Sequence, residues 1–494
     1  MSTFHSANGA SGASGASDSP SNGSSGMANS SAIAAALADA DPQPFWLDHP
    51  AAPPPGSALT GNLRCDLLVV GGGFSGLWTA LLAKESDPSL DVILVEGERI
   101  GWAATGRNGG FVSSSLTHGL PNGVERFPDE MPQLTRLGDE NFDAIEAAIA
   151  RYGIDAEWER NGEITVATEP WQLPYLEESA RLAERFGGKA EVWDAQQVQS
   201  QVASPTYLGA VHEADGTAIV NPAKLAWGLA DACRSLGVRI FERSQVTALS
   251  DESGVMVATT AYGKVQAAKV ALATNIFPNL VKRARLYVVP VWDYVLMTEP
   301  LSAEQLDAIG WRGRQGIGDS ANQFHYYRLS ADNRILWGGY DAIYNFGNGM
   351  ERRHENRHET YTKLAGHFFQ TFPQLEGIRF SHVWGGAIDT STRFCAFWGQ
   401  AFGGKVAYVM GYTGLGVGAT RFGGQVMLDL LDGARTERTE LDFVRRKPIP
   451  FPPEPFRYSG IQLTRWSLDR ADRNQGRRNL WLRSLDRLGL GFDS

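Results

Sequence analysis

Six consecutive residues, Gly71-Gly72-Gly73-Phe74-Ser75-Gly76, place three glycines in the G-x-G-x-x-G spacing. Each glycine has its own task in that pattern. Gly71 permits a tight turn, Gly73 lets the backbone approach a pyrophosphate, and Gly76 lets a helix pack closely on the preceding strand. The helix that follows Phe74, opening at Ser75, offers its first N–H groups and positive dipole end to the phosphates. Glu96 follows 20 residues after Gly76. A carboxylate at that point accepts hydrogen bonds from ribose hydroxyls and repels a 2′-phosphate. Alone the glycine spacing is a weak signal; together with Glu96 it predicts a dinucleotide site.

Two more stretches are rich in glycine. The first is Gly101-Trp102-Ala103-Ala104-Thr105-Gly106-Arg107-Asn108-Gly109-Gly110-Phe111. Its small residues suit the close passage of a ring and chain, and its alternative is a surface loop. The second is Gly411-Tyr412-Thr413-Gly414-Leu415-Gly416-Val417-Gly418, before a helix through Met427. Backbone N–H groups and a helix N-terminus form a site for developing negative charge. No Ser/His/Asp, zinc or phosphate-transfer pattern competes, and no metal site is expected.

The elements that hold these residues follow from the pattern. Residues 66–71 contain a short apolar run, as in a strand buried on both faces of a parallel sheet. Helical spacing of Leu77, Ala80 and Leu81 predicts a helix over 75–86, and Val92-Ile93-Leu94-Val95 reads as the next strand, a β-α-β unit. A second helix is predicted over 222–236, with Asn221 as N-cap, Pro222 at the first position and Gly237 just past the end. Cys233 falls on its apolar face, which marks it as core packing rather than a nucleophile. Strands are expected at 238–241, 244–249, 254–260, 264–267 and 269–273, then aromatic strand-like runs beyond 286.

Composition bounds the function. The 494 residues carry a formal net charge of −10, which gives a nucleic-acid partner no electrostatic support. No apolar run reaches the ~20 residues of a transmembrane helix, and no signal peptide is evident. Cys65, Cys233 and Cys395 show no CxxC spacing, so reduced thiols in a cytoplasm are expected. The Ser/Gly/Ala/Asn-rich start predicts disorder over residues 1–40, with order beginning near Pro44-Phe45-Trp46.

The glycine motif, Ala104-Thr105-Gly106-Arg107-Asn108-Gly109-Gly110, Ala271-Leu272-Ala273-Thr274-Asn275, Trp384-Gly385-Gly386 and Gly411-Tyr412-Thr413-Gly414 occur in one order. In them the chain, over about 60–435, resembles the D-amino-acid-oxidase-like (DAO) family of FAD oxidoreductases, and most nearly its γ-glutamylputrescine oxidase branch. The resemblance implies an α/β fold. A discontinuous FAD-binding Rossmann-like βαβ domain would comprise 60–150, 216–285 and 381–435. An antiparallel-sheet α+β substrate domain would comprise 151–215 and 286–380, and an Arg-rich helical extension would run over 436–494.

The resemblance also implies roles. Gly71, Gly73, Phe74, Ser75, Gly76 and Glu96 would hold the ADP half of FAD, and Ala104 through Gly110 would line the flavin and ribityl portion. Val246, in a 244–246 strand, would meet the adenine, and Thr274 would sit near the pyrophosphate. Gly411, Thr413, Gly414, Leu415 and Gly416 would face the flavin N1–C2 edge. The implied reaction is oxidative deamination of an amine, by hydride transfer to flavin N5 with O2 as acceptor and H2O2 as product. A dehydrogenase with another acceptor and a non-catalytic FAD-binding subunit are the alternatives. No catalytic side chain is required beyond the flavin, and Tyr327, Trp384 and Thr413 are candidates.

Against the family pattern, Ala387-Ile388-Asp389-Thr390 follows Trp384-Gly385-Gly386 where amino-acid oxidases place an arginine. Gly418 stands where sarcosine-oxidase-like members place a lysine. Lacking a cationic anchor, the site tilts toward an amine, polyamine or γ-glutamyl amine. Substrate candidates are Trp292 and Tyr326 by cation–π attraction, Arg328 for a distal carboxylate or else a surface ion pair, and Asp389 for a cation or else an exposed turn. Cys395 is displaced from the family's covalent position, so non-covalent FAD is expected. Lys282 is a candidate for promoting reaction with oxygen. The Arg-rich stretch 457–494 reads as one or two amphipathic helices. These would dock on the main body or a second subunit of a homo-oligomer, with peripheral membrane contact as the alternative.

Overall fold

The structure, a computed structural model, describes residues 30–277 and 280–491. The run Leu67-Leu68-Val69-Val70 has no polar face because both of its faces are covered. Leu67 and Val69 join one core with Val92 and Leu94, while Leu68 and Val70 join another with Ile93 and Val95. The sheet has the order Phe397–Ala401, Val406–Met410, Gly263–Leu272, Gly61–Val70, Val92–Val95, Arg239–Phe241. Its middle is parallel, with Val69 beside Leu94 on one edge and Ala271 on the other. The helices Phe74–Ser86, Pro222–Ser235 and Gly416–Asp432 pack together over one face.

Two strand expectations change here. The runs 264–267 and 269–273 are one strand, Gly263–Leu272, which pairs with Gly61–Val70 along its whole length. The strand expected at 244–249 begins only at Ala248. Val246 lies in the irregular stretch before it, where Ser244 is held by Glu96 and Leu59 instead of by a ladder.

The second sheet has the order Phe380–Ser391, Val288–Thr298, Ile335–Gly339, His325–Leu329, Gly316–Asp319, Glu163–Ala167, Gly209–Glu213, Ala190–Asp194. All pairs are antiparallel except Gly316–Asp319 with Glu163–Ala167. The helix His358–Thr371 covers it through Phe368 and Leu364, over a core of Trp292, Tyr294, Tyr327 and Trp337. Phe380–Ser391 pairs with Val288–Thr298 from Val288–Ser391 back to Thr298–Phe380. This strand therefore belongs to the second sheet, although residues from 381 were expected with the FAD-binding unit. It delivers its far end, Asp389, to the Gly411 turn of the first sheet.

Order also begins earlier than composition indicates. Ser30–Leu37 is a helix, within the stretch expected to be disordered over 1–40; residues 1–29 of that stretch lie outside the described residues. Its alanines favour helix, and Ile33 and Ala36 bury against His358–Thr371. Among the described residues no helix is long and apolar enough to cross a membrane. The C-terminal stretch forms two helices, Phe456–Asp472 and Leu480–Arg487, docked on the body.

Candidate cofactor and substrate site

The turn after Gly61–Val70 shows why its residues must be glycine. Gly71 has φ +114, and a Cβ on it would lie 2.3 Å from the Ala273 carbonyl oxygen. A Cβ on Gly76 would lie 1.9 Å from the Gly71 carbonyl oxygen, so strand and helix could not meet. Gly73 precedes Phe74–Ser86 with no side-chain cap, which leaves the helix N-terminus for an external anion.

Glu96 ends Val92–Val95 as a buried carboxylate. Its Oε2 accepts from the Gly72 N–H at 2.6 Å, and its Oε1 accepts from the Glu98 N–H and Trp102 Nε1, both at 2.9 Å. Burial pushes its pKa upward, against the pull of these donors. The Ala104–Gly110 run is held from within. Asn108 Nδ2 donates to the Ala104 and Thr105 carbonyls, its Oδ1 accepts from the Gly110 N–H, and Thr105 Oγ1 accepts from the Phe74 N–H. Arg107 donates to Glu355 and to the Gly385 carbonyl, both at 2.9 Å.

The Gly411 turn is built differently. Thr413, with a side chain, sits at φ +53 in the left-handed region. The main chain is held there from Asp389. Its Oδ2 accepts from the Gly411 N–H at 2.5 Å, and its carbonyl accepts from the Thr413 N–H at 3.3 Å. Burial lifts the Asp389 carboxyl to about 7, opposed by the N–H groups of Gly411, Tyr412 and Thr413. The two turns touch: Ser75 Oγ donates to the Tyr412 hydroxyl at 2.9 Å. The helix Gly416–Asp432 also starts without a side-chain cap.

One cavity of about 1820 Å³ runs between these turns. Gly71, Gly73, Phe74, Ser75, Glu96, Thr105, Val246 and Thr274 line it on one side, and Thr413, Gly414, Leu415 and Gly416 line it as well. Ala104, Arg107, Asn108 and Gly109 border it too, whereas Gly76, Gly106, Gly110 and Gly411 support the wall from behind. Uncapped helix starts, a buried carboxylate at the end of the second strand and turns whose missing Cβ atoms leave room fit FAD.

Four of the substrate and catalytic candidates do not reach this cavity. Strand alternation turns Tyr327 into the core, where its hydroxyl meets that of Tyr207 at 2.7 Å. Trp292 is buried and donates to the Gly349 carbonyl. Trp384 donates to the Arg107 carbonyl and so braces the Ala104–Gly110 run from outside the cavity. Arg328 is neither an anchor nor a surface ion pair. It is buried, donates to the Gly109, Val220 and Leu329 carbonyls and stacks on Trp46. Burial draws its guanidinium down to about 9.

Tyr326 does line the cavity and donates to Asp293 Oδ2 at 2.6 Å. Asp389 is no exposed turn: it lies in a strand and is 3% exposed. Lys282 is exposed and Cys395 buried, and neither lines the cavity. The absence of lysine at Gly418 has a steric cause, since a Cβ there would be 2.1 Å from the Ser113 carbonyl oxygen.

Three cavity groups were missed by the sequence reading. Asp293 is lifted to about 6 and Glu163 to about 7, both by burial, and burial holds His118 down at about 4. An aspartate inside the apolar strand Val288–Thr298 was a readable signal, because a carboxylate is seldom buried without a purpose. Glu163 and His118 carry no comparable local mark.

The family described as DAO, FAD dependent oxidoreductase, matches residues 66–430. The chain is 33% identical over 407 residues to "Gamma-glutamylputrescine oxidoreductase" of Escherichia coli, covering 81% of this chain and 90% of that protein. It is 28% identical over 383 residues to "Probable oxidoreductase OrdL" of Haemophilus influenzae, covering 76% and 84% respectively. Among solved structures, glycine oxidase from Geobacillus kaustophilus superposes with a TM-score of 0.64 at 19% identity, covering 78% of this chain and 100% of that one, which shows the shared fold. With a glycine turn, a buried carboxylate and a second uncapped helix start around one cavity, the chain belongs to the DAO family of FAD-dependent oxidoreductases.

Proposed function

We propose that the enzyme oxidatively deaminates a cationic amine of the polyamine or γ-glutamyl-amine type, with O2 as electron acceptor. The observation that carries this reading is the charge of the cavity. Among the described residues lining it, eleven carboxylates stand against five Arg and Lys side chains. Such a lining concentrates cations and disfavours a substrate whose main anchor is a carboxylate. The occupation of Arg328 by three carbonyls supports the same choice. So does the name of the Escherichia coli relative.

Bound FAD supplies a two-electron acceptor for the C–H bond next to the amine nitrogen. The ammonium form must first lose a proton. The Asp389 carboxylate, lifted to about 7, can hold that proton on its side-chain oxygen near neutral pH. With the Thr413 and Leu415 N–H groups bonded to the Asp389 and Tyr412 carbonyls, it is the uncapped helix start at Gly416 that the 413–416 turn offers to negative charge. Tyr326 and Asp293, joined at 2.6 Å, present a polar pair that can orient an amine. Non-covalent FAD fits a Cys395 turned into the core, and a reducing cytoplasm suits three unpaired thiols.

The test is anaerobic mixing of the yellow holoenzyme with putrescine, spermidine, γ-glutamylputrescine, glycine and alanine. Amines should bleach the flavin band faster than the amino acids, and peroxide should appear when air returns. Faster bleaching by the amino acids would overturn the substrate class. Bleaching without peroxide would overturn O2 as acceptor.

A further inference from the structure

The two C-terminal helices are not an appendage on the outside of the body. In Phe456–Asp472 the residues Arg457, Gly460, Thr464 and Leu468 recur at helical spacing, and all four border the cavity. In Leu480–Arg487 the pair Trp481 and Leu485, one turn apart, borders it as well. Trp481 Nε1 donates to Thr464 Oγ1 at 2.9 Å, and Asn479 Nδ2 donates to Ser467 Oγ at 2.9 Å, so the helices hold each other.

The segment is fastened at its middle and at its C-terminal end. Asp472 accepts from the Asn322 N–H at 3.0 Å, from Asn322 Nδ2 at 2.6 Å and from the Gln323 N–H at 3.0 Å. Arg465 pairs with Asp341 at 3.2 Å. On the other side Arg126 donates to the Gly489 carbonyl at 2.6 Å and to the Gly491 carbonyl at 2.9 Å. A strap latched to the second sheet's 322–323 loop and to the end of the helix Leu120–Arg126, with residues turned to the chamber, is in position to decide what fits beneath it.

That face has a definite chemistry. Leu468, Trp481 and Leu485 are apolar, whereas Glu163 and Glu213, paired across adjacent strands of the same cavity, are carboxylates. We infer that the 456–490 strap is the specificity-determining wall of the substrate chamber, and that Leu468, Trp481 and Leu485 read the hydrocarbon chain of the amine. The inference rests on the proposed amine reading. It assigns a task to residues beyond the family match, which ends at 430. A bare methylene chain gains from apolar contact in proportion to its length, so the wall acts as a ruler.

The experiment measures kcat/KM for primary alkylamines from propylamine to octylamine on native holoenzyme and on Trp481→Ala and Leu485→Ala. Octylamine binding is read separately from its perturbation of the flavin absorption spectrum. The native enzyme should favour the longer amines. Each variant should retain FAD and lose roughly tenfold or more of the octylamine-to-propylamine preference. Trp481→Phe should restore most of it. An unchanged length profile in both variants, or a flat profile in the native enzyme, overturns the wall while leaving amine oxidation standing. Should no alkylamine reduce the flavin, the amine reading still stands or falls on putrescine, spermidine and γ-glutamylputrescine. The spectral titration then decides the wall: tighter octylamine binding that Trp481→Ala weakens upholds it, and equal binding of octylamine and propylamine refutes it. If Trp481→Ala loses FAD, the same comparisons with Leu468→Ser decide.

Discussion

The two glycine-rich turns that face the cavity reach similar ends by different means. At Gly71–Gly76 the backbone path is dictated by the residues of the turn themselves, because Cβ atoms at 71 and 76 would strike carbonyl oxygens at 2.3 Å and 1.9 Å. At Gly411–Gly416 glycine supplies two of the positive-φ positions, Gly411 at +79 and Gly414 at +96, but between them Thr413 takes φ +53 with a side chain. There the path is imposed by Asp389, 24 residues earlier in the chain, through bonds to the Gly411 and Thr413 N–H groups. The first turn is specified locally, and the second needs a long-range buried carboxylate in addition to its own glycines. Damage to the first should be all-or-none, whereas damage to the second should be graded and should depend on pH.

The largest effect is expected at Gly76. Gly76→Val forces the helix Phe74–Ser86 away from its strand, because the obstacle is backbone and cannot swing aside. FAD should be lost, seen as a colourless protein with little absorbance at the flavin band relative to the protein band. A Gly76→Val protein purified with native FAD content would break the local half of the comparison.

Asp389 should give the graded response. Asp389→Ala leaves the Gly411 N–H without its acceptor in a buried place, a cost of about 1–3 kcal/mol. The expected result is a lower melting temperature and weaker, not abolished, FAD binding when apo-protein is titrated by fluorescence. The pH dependence follows from the raised pKa. Below about 4 the carboxyl is protonated in folded and unfolded chains alike. Above that the unfolded chain gives up its proton first, so stability is lost as pH rises through about 7. Glu163 and Asp293, raised to about 7 and about 6, act with the same sign. Native holoenzyme should therefore lose melting temperature between pH 5 and pH 8, and Asp389→Asn should lose less. An identical slope in Asp389→Asn would show that Asp389 does not titrate in that window.

The same contrast explains what could be read in advance. The first turn, its flanking strands and Glu96 were legible because every cause lies within one β-α-β unit. The second was legible as a turn before a helix, but its clamp was not, because Asp389 follows Trp384-Gly385-Gly386 in a strand of the other sheet. His325–Leu329 shows the same limit. Alternation places Tyr326 and Arg328 on one face and Tyr327 on the other. Nothing in the pattern tells which face meets the chamber, or that Arg328 lies deep enough to meet the Gly109 and Val220 carbonyls. For the C-terminal helices the amphipathic spacing was visible and the destination was not. At Ser30–Leu37 a single anchoring isoleucine, Ile33, outweighs a composition that otherwise reads as disordered.

The smallest effect tests whether the two turns act as one unit. They are joined directly by Ser75 Oγ and the Tyr412 hydroxyl at 2.9 Å. Tyr412 is held against Gly423, whose Cβ would lie 2.1 Å from the same hydroxyl, so the ring has little freedom to move off its partner. Burial keeps the phenol neutral at any working pH, against the pull of the Ser75 donor, so the bond's strength should not vary between pH 5 and pH 8. Ser75→Ala and Tyr412→Phe should each cost about 1 kcal/mol, the worth of one neutral hydrogen bond. The double variant should cost less than the sum, with a coupling of about 0.5–1 kcal/mol that is the same at both pH values. Urea unfolding of the four holoenzymes supplies the cycle. A pH-independent coupling would mean that the local turn lends rigidity to the clamped one. A coupling that grows with pH would trace the link to Asp389 instead, since that carboxylate is the neighbouring group whose charge changes in this window.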